Sequence, residues 1–149
     1  MSFESQLIHS STRIASLSLR LRPLAWALMG AVRYRLGVWL VVTQGRRNHE
    51  EQGALWAKGR DGAGNIVAPA DVVTYARAGQ SNHEYGEAFD VARLHPEDGR
   101  VSWDDLDWGG VGTIGEEVGL RWGGRWQHKD RPHFENPDAP IARSPLVSA

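Results

Sequence analysis

The sequence contains no cysteine among its 149 residues. This absence excludes a disulfide-stabilised scaffold, a thiolate zinc site, an iron–sulfur cluster and a cysteine nucleophile. The formal net charge of -1 also lacks the basic excess that is typical of strong nucleic-acid binders. The candidate metal ligands are therefore the six histidines and the 18 acidic residues.

No apolar run in the sequence is long enough to cross a bilayer. Residues 23–32 are apolar, but Arg33 and Arg35 follow where a secretory signal would have a small-residue cleavage site. We interpret this run as a core helix, and we expect a protein without a membrane anchor. Residues 1–47 carry seven arginines and one acid, Glu4, which favours a solvated helix face over a nucleic-acid-binding arm.

The length and the hydrophobic content of 41% are typical of one folded domain. We predict a single domain over residues 1–149, with a core at about 13–136 and a loosely ordered, proline-containing tail over 137–149.

Helix and strand patterns alternate irregularly along the chain. Helices are predicted over 23–36, 48–58 and 107–118, strands over 38–42, 87–91 and 131–135, and a weakly strand-like segment over 71–77. Leu24, Leu28, Val32 and Leu36 would form the buried face of the first helix. Because the βαβ repeat is absent, the pattern favours the α+β class, with a small, mainly antiparallel sheet flanked by helices.

Two segments carry residues suited to metal chemistry: Ser81–Asp90 (SNHEYGEAFD) and Asp130–Glu135 (DRPHFE). His83, Asp90 and His133 offer the nitrogen and oxygen ligands that zinc enzymes use while keeping one position open for water. A turn at Gly86 would let His83 reach Asp90. Asp130, close to the last ligand, is a candidate for moving protons. The remaining histidines, at positions 9, 49, 95 and 128, are interpreted as surface or hydrogen-bonded residues.

These segments resemble a known family. The pattern Ser-x-His-x-x-Gly-x-Ala-x-Asp, followed by a carboxylate-x-x-His, is similar to that of the zinc D-alanyl-D-alanine peptidases and L-alanyl-D-glutamate endopeptidases, whose fold the Hedgehog signalling domain shares. Residues 42–60 and 119–135 resemble the signatures of the phage endolysin branch. The resemblance runs from about residue 13 to 136 and implies the Hedgehog-like zinc peptidase fold.

The resemblance also implies roles for individual residues. His83, Asp90 and His133 would bind Zn²⁺, and Asp130 would be the catalytic acid–base residue. Arg47 would stabilise the negative charge that develops on the scissile carbonyl oxygen, although its neighbour Arg46 remains an alternative. Substrate contacts are predicted for Ser81, Gln52 and Trp122 in addition to Arg47, with Trp122 and Trp126 as possible walls of a cleft.

The predicted function is zinc-dependent cleavage of an amide bond in peptidoglycan stem peptides. Asp at position 130 is like the endolysin branch, which favours the L-Ala–D-Glu bond and a phage or prophage lysis enzyme. We expect a monomer that stays in the host cytoplasm until the membrane is permeabilised and then reaches the periplasm and cell wall.

Three alternatives remain at this point. A D-alanyl-D-alanine carboxypeptidase would release single D-Ala residues. A non-catalytic, zinc-stabilised binding domain is compatible with the Hedgehog likeness, although Asp130 and Arg47 argue against it. A metal-dependent nuclease is disfavoured, because the half of the chain that carries the motifs is net acidic.

Overall fold

The fold is described here over residues 1–139 from a computed structural model. Residues 140–149, most of the predicted tail, lie outside the described residues. The four α-helices of the described part are α1 Phe3–Ala15, α2 Leu21–Leu36, α3 His49–Ala57 and α4 Trp108–Glu117. Its five strands are β1 Trp39–Gln44, β2 Ala88–Leu94, β3 Val101–Ser102, β4 Arg121–Trp122 and β5 His133–Glu135.

The strands form one antiparallel sheet in the order β1-β2-β5-β4, with β3 paired to the far end of β2. The predicted α+β class with a mainly antiparallel sheet is therefore confirmed. Three short 3-10 helices, Pro69–Asp71, Asn82–Tyr85 and Gly123–Arg125, lie in the connections. No helix within residues 1–139 is long and apolar enough to span a membrane.

One face of the sheet packs against helices and forms the core. Phe89 and Val91 of β2 and Phe134 of β5 belong to this core, together with residues of α2 and α4. Because side chains alternate along a strand, their neighbours Asp90 and His133 lie on the opposite face. The sheet thus separates an apolar layer from a polar face that is available for a site.

Helix α2 begins two residues before the predicted start and ends at Leu36, where Gly37 adopts the left-handed conformation with φ 70°. Its buried face contains Leu28 and Val32, as predicted, but Leu36 is 36% exposed. An α-helix has 3.6 residues per turn, so residues spaced four apart shift progressively around its surface. Leu36, the last residue of the repeat, therefore faces solvent. Leu21 and Ala25 complete the buried face instead.

Helix α1 was not predicted, and the segment 71–77 does not form a strand. The N-terminal end of α1 is capped by Ser2, whose side chain accepts a hydrogen bond from the Ser5 N–H. Further along, Ser10 Oγ accepts a hydrogen bond from the Val42 N–H at 2.8 Å. This serine-rich helix therefore depends on contacts with β1, which the local sequence pattern does not show.

Two glycines of α4 lie directly against the sheet. A Cβ atom on Gly115 would lie 2.3 Å from the ring of Phe134, and one on Gly112 would lie 2.2 Å from the ring of Trp122. Such distances leave no space for a methyl group. By contrast, nothing lies within 4 Å of the position of a Cβ on Gly30 in α2.

We therefore predict opposite effects for two Gly→Ala substitutions. Gly115→Ala should lower the free energy of unfolding by about 1–3 kcal/mol, because the core is already filled. Gly30→Ala should raise it by roughly 0.5–1 kcal/mol, because alanine restricts the unfolded chain and favours the helix. Urea denaturation of both variants measures these changes. Equal effects of the two substitutions would contradict the packing described.

Candidate metal centre

Three side chains converge on the polar face of the sheet. Asp90 and His133 are direct cross-strand partners in the pairing of β2 with β5. His83 comes from the 3-10 helix that precedes β2. Potential ligand atoms of the three residues all lie within 4.8 Å of one another. Asp90 Oδ1 is 3.4 Å from His83 Nε2 and 3.3 Å from His133 Nδ1.

The turn that brings His83 to Asp90 is stabilised locally. Ser81 caps the 3-10 helix through its side chain, and Glu84 completes the capping box by bonding back to the Ser81 N–H at 3.0 Å. Gly86 then takes the left-handed conformation, with φ 68°, that reverses the chain into β2. The turn predicted at Gly86 is therefore present.

Each imidazole is oriented by a hydrogen bond on the ring nitrogen that faces away from the centre. His83 Nδ1 lies 3.0 Å from the carbonyl oxygen of Gly45. His133 Nε2 lies 3.0 Å from Glu135 Oε2. When these nitrogens donate, His83 Nε2 and His133 Nδ1 are left as acceptors that point towards Asp90, which is the arrangement that metal-binding histidines require.

The charges of the centre are strongly coupled. Burial alone would raise the pKa of Asp90, but its interactions with His83 and His133 outweigh burial and lower that pKa below its ordinary range. Burial alone would lower the pKa of His133, whereas the carboxylates of Asp90 and Glu135 raise it to about 9. The metal-free centre therefore holds a proton on His133 at neutral pH.

Two atoms of the centre lack a hydrogen bond of suitable geometry although they are buried: Asp90 Oδ1 and His133 Nδ1. Buried polar atoms are rarely left in this state without an ion or water to satisfy them. Two imidazoles and one carboxylate are also the donor set of many zinc sites with an open position. Within residues 1–139, this is the one cluster of three such side chains that converges in this way.

Arg47 and Asp130 lie in the same cleft as the cluster. The cleft has a volume of about 230 Å³ and is lined by His83 and Asp90 as well as by these two residues. Asp130 Oδ2 is 3.8 Å from His133 Nδ1. The pKa of Arg47 is lowered by burial, with Asp90 and Asp130 acting in the opposite direction. Its guanidinium nevertheless remains charged at any physiological pH.

The structure distinguishes Arg47 from Arg46, which the sequence did not. Arg47 is only 8% exposed and its Nη1 donates to Gln52 Oε1 at 2.6 Å. Arg46 is exposed and does not line this cleft. The bulge in β1, where the pairing with β2 shifts between Val42 and Gln44, redirects the chain just before these two arginines.

The structure gives local contacts for three residues predicted as substrate contacts. Ser81 is fully buried and caps the turn, as described above. Gln52 is fully buried, with its amide nitrogen donating to the Ala76 carbonyl oxygen at 2.6 Å, so it supports Arg47 from behind. Trp122 belongs to the hydrophobic core, and its Nε1 donates to the Arg131 carbonyl oxygen at 2.8 Å. All three side chains are buried, and their roles as substrate contacts stay predictions.

The sequence reasoning gave no role to Glu135 or Asn82. Besides holding His133, the Glu135 carboxylate accepts a hydrogen bond from Asn82 Nδ2 at 3.0 Å. Its other oxygen lies 3.4 Å from Arg121 Nη1. The alternation His-x-Glu within the last strand was the available signal, since it places both side chains on one face. Trp126, which was considered as a wall, packs against the His133 ring with 4.9 Å between centroids.

The chain is similar to proteins of known kind. Residues 74–136 match the family model described as D-alanyl-D-alanine carboxypeptidase. Over 109 residues, or 66% of this chain, the sequence is 41% identical to the peptidoglycan L-alanyl-D-glutamate endopeptidase CwlK of Bacillus subtilis (strain 168). The aligned part spans 61% of that protein.

Solved structures show the same fold. The L-Ala D-Glu endopeptidase ChiX of Serratia marcescens superposes with a TM-score of 0.59 at 22% identity, over 85% of both chains. The vancomycin-resistance D,D-pentapeptidase VanY, in a variant solved with Zn(II), gives a TM-score of 0.61 at 21% identity, over 80% of this chain and 72% of VanY. VanYB in complex with D-alanine-D-alanine gives 0.60 at 24% identity, over 80% and 71%. The predicted peptidase fold is therefore confirmed.

We predict that one zinc ion binds per chain and that binding depends on residues around the cluster to different degrees. His133→Ala should abolish tight binding, because it removes a ligand. Glu135→Gln should keep the ligands but weaken binding by about 10–100-fold, because the amide orients His133 less well. His9→Ala, at an exposed position in α1, is the control and should bind as the wild type does. Competition with a chromophoric chelator measures the zinc affinity of the wild type and of the three variants. An unchanged zinc affinity in His133→Ala would refute the site.

Zinc affinity should also depend on pH. The ion must displace the proton held by His133, whose pKa is raised to about 9. Apparent affinity should therefore rise about tenfold per pH unit between pH 7 and 9 and level off above that range. The same competition titration, corrected for protonation of the chelator, tests this. An affinity that is constant from pH 7 to 9 would show that no proton is displaced.

Proposed function

We propose that the protein is a zinc-dependent peptidoglycan endopeptidase, because residues 74–136 match the family model described as D-alanyl-D-alanine carboxypeptidase. Its proposed substrate is the stem peptide, and the proposed scissile bond is L-Ala–D-Glu. The observation that carries the proposal is the His83–Asp90–His133 cluster with Arg47 and Asp130 in one cleft. The identity of 41% to an L-alanyl-D-glutamate endopeptidase supports the choice of bond.

The proposed metal ligands are His83, Asp90 and His133. A zinc ion held there would supply a Lewis acid that polarises a carbonyl group and makes water more acidic at neutral pH. The orphaned Asp90 Oδ1 and His133 Nδ1 support this assignment, since the ion would satisfy both. Glu135 and the Gly45 carbonyl would fix the two imidazoles in the ligating orientation.

Asp130 is proposed as the residue that moves protons. Its carboxylate lines the cleft, and its Oδ2 is 3.8 Å from a ligand nitrogen, so it lies beside the place where a scissile amide would sit. It would take the proton of the attacking water and deliver one to the departing amine. The Asp130 N–H donates to the Gly123 carbonyl at 3.0 Å, which holds the loop that carries the carboxylate.

Arg47 is proposed to stabilise the oxyanion. Its guanidinium is buried at the cleft and fixed by Gln52, so it needs little reorganisation when charge develops on the carbonyl oxygen. A purely structural zinc site requires neither a cation nor a further carboxylate beside the metal. Their presence favours an enzyme over the non-catalytic binding domain considered from the sequence.

We further propose that the enzyme acts as a monomeric phage or prophage endolysin. It would remain in the host cytoplasm until the membrane is permeabilised and would then reach the wall. The likeness of residues 42–60 and 119–135 to the endolysin branch, including Asp at position 130, supports this role.

A D-alanyl-D-alanine carboxypeptidase is the second candidate, because the matching family model carries that description. The fold likeness to VanYB in complex with D-alanine-D-alanine agrees with it. The two candidates differ in their products. An endopeptidase exposes a new amino terminus within the stem peptide, whereas a carboxypeptidase releases free D-Ala.

The test is mass spectrometry of purified sacculi after digestion by the zinc-loaded protein. We expect new peptides that begin with D-Glu. In a separate assay, cells that produce the protein should lose turbidity only after their membrane is permeabilised chemically. Asp130→Asn should lower kcat by about 10²–10⁴-fold and Arg47→Gln by about 10²–10³-fold, because each removes a group that acts in the transition state. Both variants should still bind zinc.

Arg125→Gln, at an exposed arginine paired with Glu116, is the matched control and should keep full activity. Release of D-Ala alone would establish the carboxypeptidase. Tight zinc binding without any new product would leave a binding domain.

A further inference from the structure

A second groove opens beside the cleft of the candidate metal centre. Its volume is about 480 Å³, and it shares Gln44, Arg47 and Leu55 with that cleft. The end of α1, the β1–α3 connection and α3 form its walls. The two spaces therefore lie next to each other, on either side of these shared residues.

The groove is strongly basic. Arg13, Arg46, Arg47 and Lys58 line it, and Glu51 is its single acidic residue. Glu51 is already engaged, because its Oε2 accepts a hydrogen bond from the Asn48 N–H at 2.8 Å in the capping box of α3. We call this space the basic groove.

The cations of the basic groove differ in how they are held. Arg13 Nη1 donates to the Val42 carbonyl oxygen at 3.1 Å, which fixes this side chain against β1. The side chains of Arg46 and Lys58 are exposed, and within residues 1–139 neither forms an ion pair. Two exposed charges that form no ion pair within residues 1–139 therefore line the space next to the cleft.

The part of the sequence that supplies three of these arginines contains few acidic residues to balance their charge. No Asp or Glu occurs between Glu4 and Glu50, a stretch that supplies Arg13, Arg46 and Arg47. A concave surface lined by charge of one sign attracts the opposite charge more strongly than a flat surface does. The ligand that suits the basic groove is therefore an anionic group of a bound peptide.

We infer that the basic groove binds a free carboxylate of the substrate residue next to the scissile bond, with Arg46 and Lys58 as specificity-determining residues. This inference rests on the proposed function. A glutamate within a peptide uses one carboxyl group in the chain and leaves the other free. Guanidinium and ammonium groups bind a carboxylate by charge-assisted hydrogen bonds, whereas a carboxamide offers no charge. The groove would thus distinguish a glutamate from its amidated form.

The test compares two synthetic stem peptides that differ only in this group, carboxylate or carboxamide, with the zinc-loaded enzyme. Wild type should cleave the carboxylate peptide with a kcat/KM about 10–100-fold higher, mainly through a lower KM, because hydrogen bonds to a charged group are stronger. Added salt should reduce this preference. In the double variant R46Q/K58Q, the preference should fall to about twofold or less, because the KM for the carboxylate peptide should rise towards that for the carboxamide peptide.

The control variant R35Q/R100Q removes the same charge from exposed arginines that are paired with Glu117 and Asp98 outside the groove. It should keep the wild-type preference. A wild-type enzyme without preference, or an unchanged preference in R46Q/K58Q, would overturn the inference.

Binding of the two product peptides that begin with the glutamate or its amide, measured by calorimetry, separates the two proposals. If neither substrate is cleaved, the proposed function fails. The inference about the groove is then tested by this binding measurement alone. Tighter binding of the carboxylate product by wild type but not by R46Q/K58Q supports it. Equal binding of the two products refutes it.

Discussion

The register of β2 against β5 determines whether this molecule has a metal site at all. Asp90 lies directly opposite His133, and a slip of β5 by one residue would turn His133 into the apolar layer beneath the sheet while Asp90 stays on the polar face. That slip is opposed by the adjacent cross-strand pair, because Phe89 and Phe134 are fully buried and stacked with 6.0 Å between ring centroids. The hydrophobic core therefore fixes the geometry of the polar face.

The groups around the cluster explain why a charged site is tolerated on a packed sheet. Glu135 is fully buried, but it bonds His133 and Asn82 and lies beside Arg121. A buried carboxylate without such partners would be costly. The same carboxylate orients a candidate ligand, so the stability of β5 and the preorganisation of the centre depend on one network.

Local signals made part of this structure predictable. Gly37 predicts the end of α2, and Asn48 with Glu51 predicts the start of α3, because helix caps involve residues that are close in sequence. The spacing around Gly86 was enough to bring His83 towards Asp90. Residues whose role depends on distant parts of the chain were not predictable in this way.

Gln52 and Trp122 illustrate that limit. The sequence shows a polar and an aromatic side chain near functional motifs, but only the packed fold shows that both are buried. Helix α1 is similar, since Ser10 and Arg13 are explained by their bonds to β1 rather than by helix propensity. The choice between Arg46 and Arg47 also required the fold, because adjacent residues at the end of a bulged strand take different directions.

The central claim is that His83, Asp90 and His133 share one zinc ion and leave it an open position. A crystal structure of the zinc-loaded protein, with anomalous data collected at the zinc edge, tests it most directly. We expect one strong peak about 2.0–2.2 Å from His83 Nε2, His133 Nδ1 and an Asp90 oxygen, with no fourth protein ligand. A peak at any other place, or two imidazoles that bind separate ions, would contradict it.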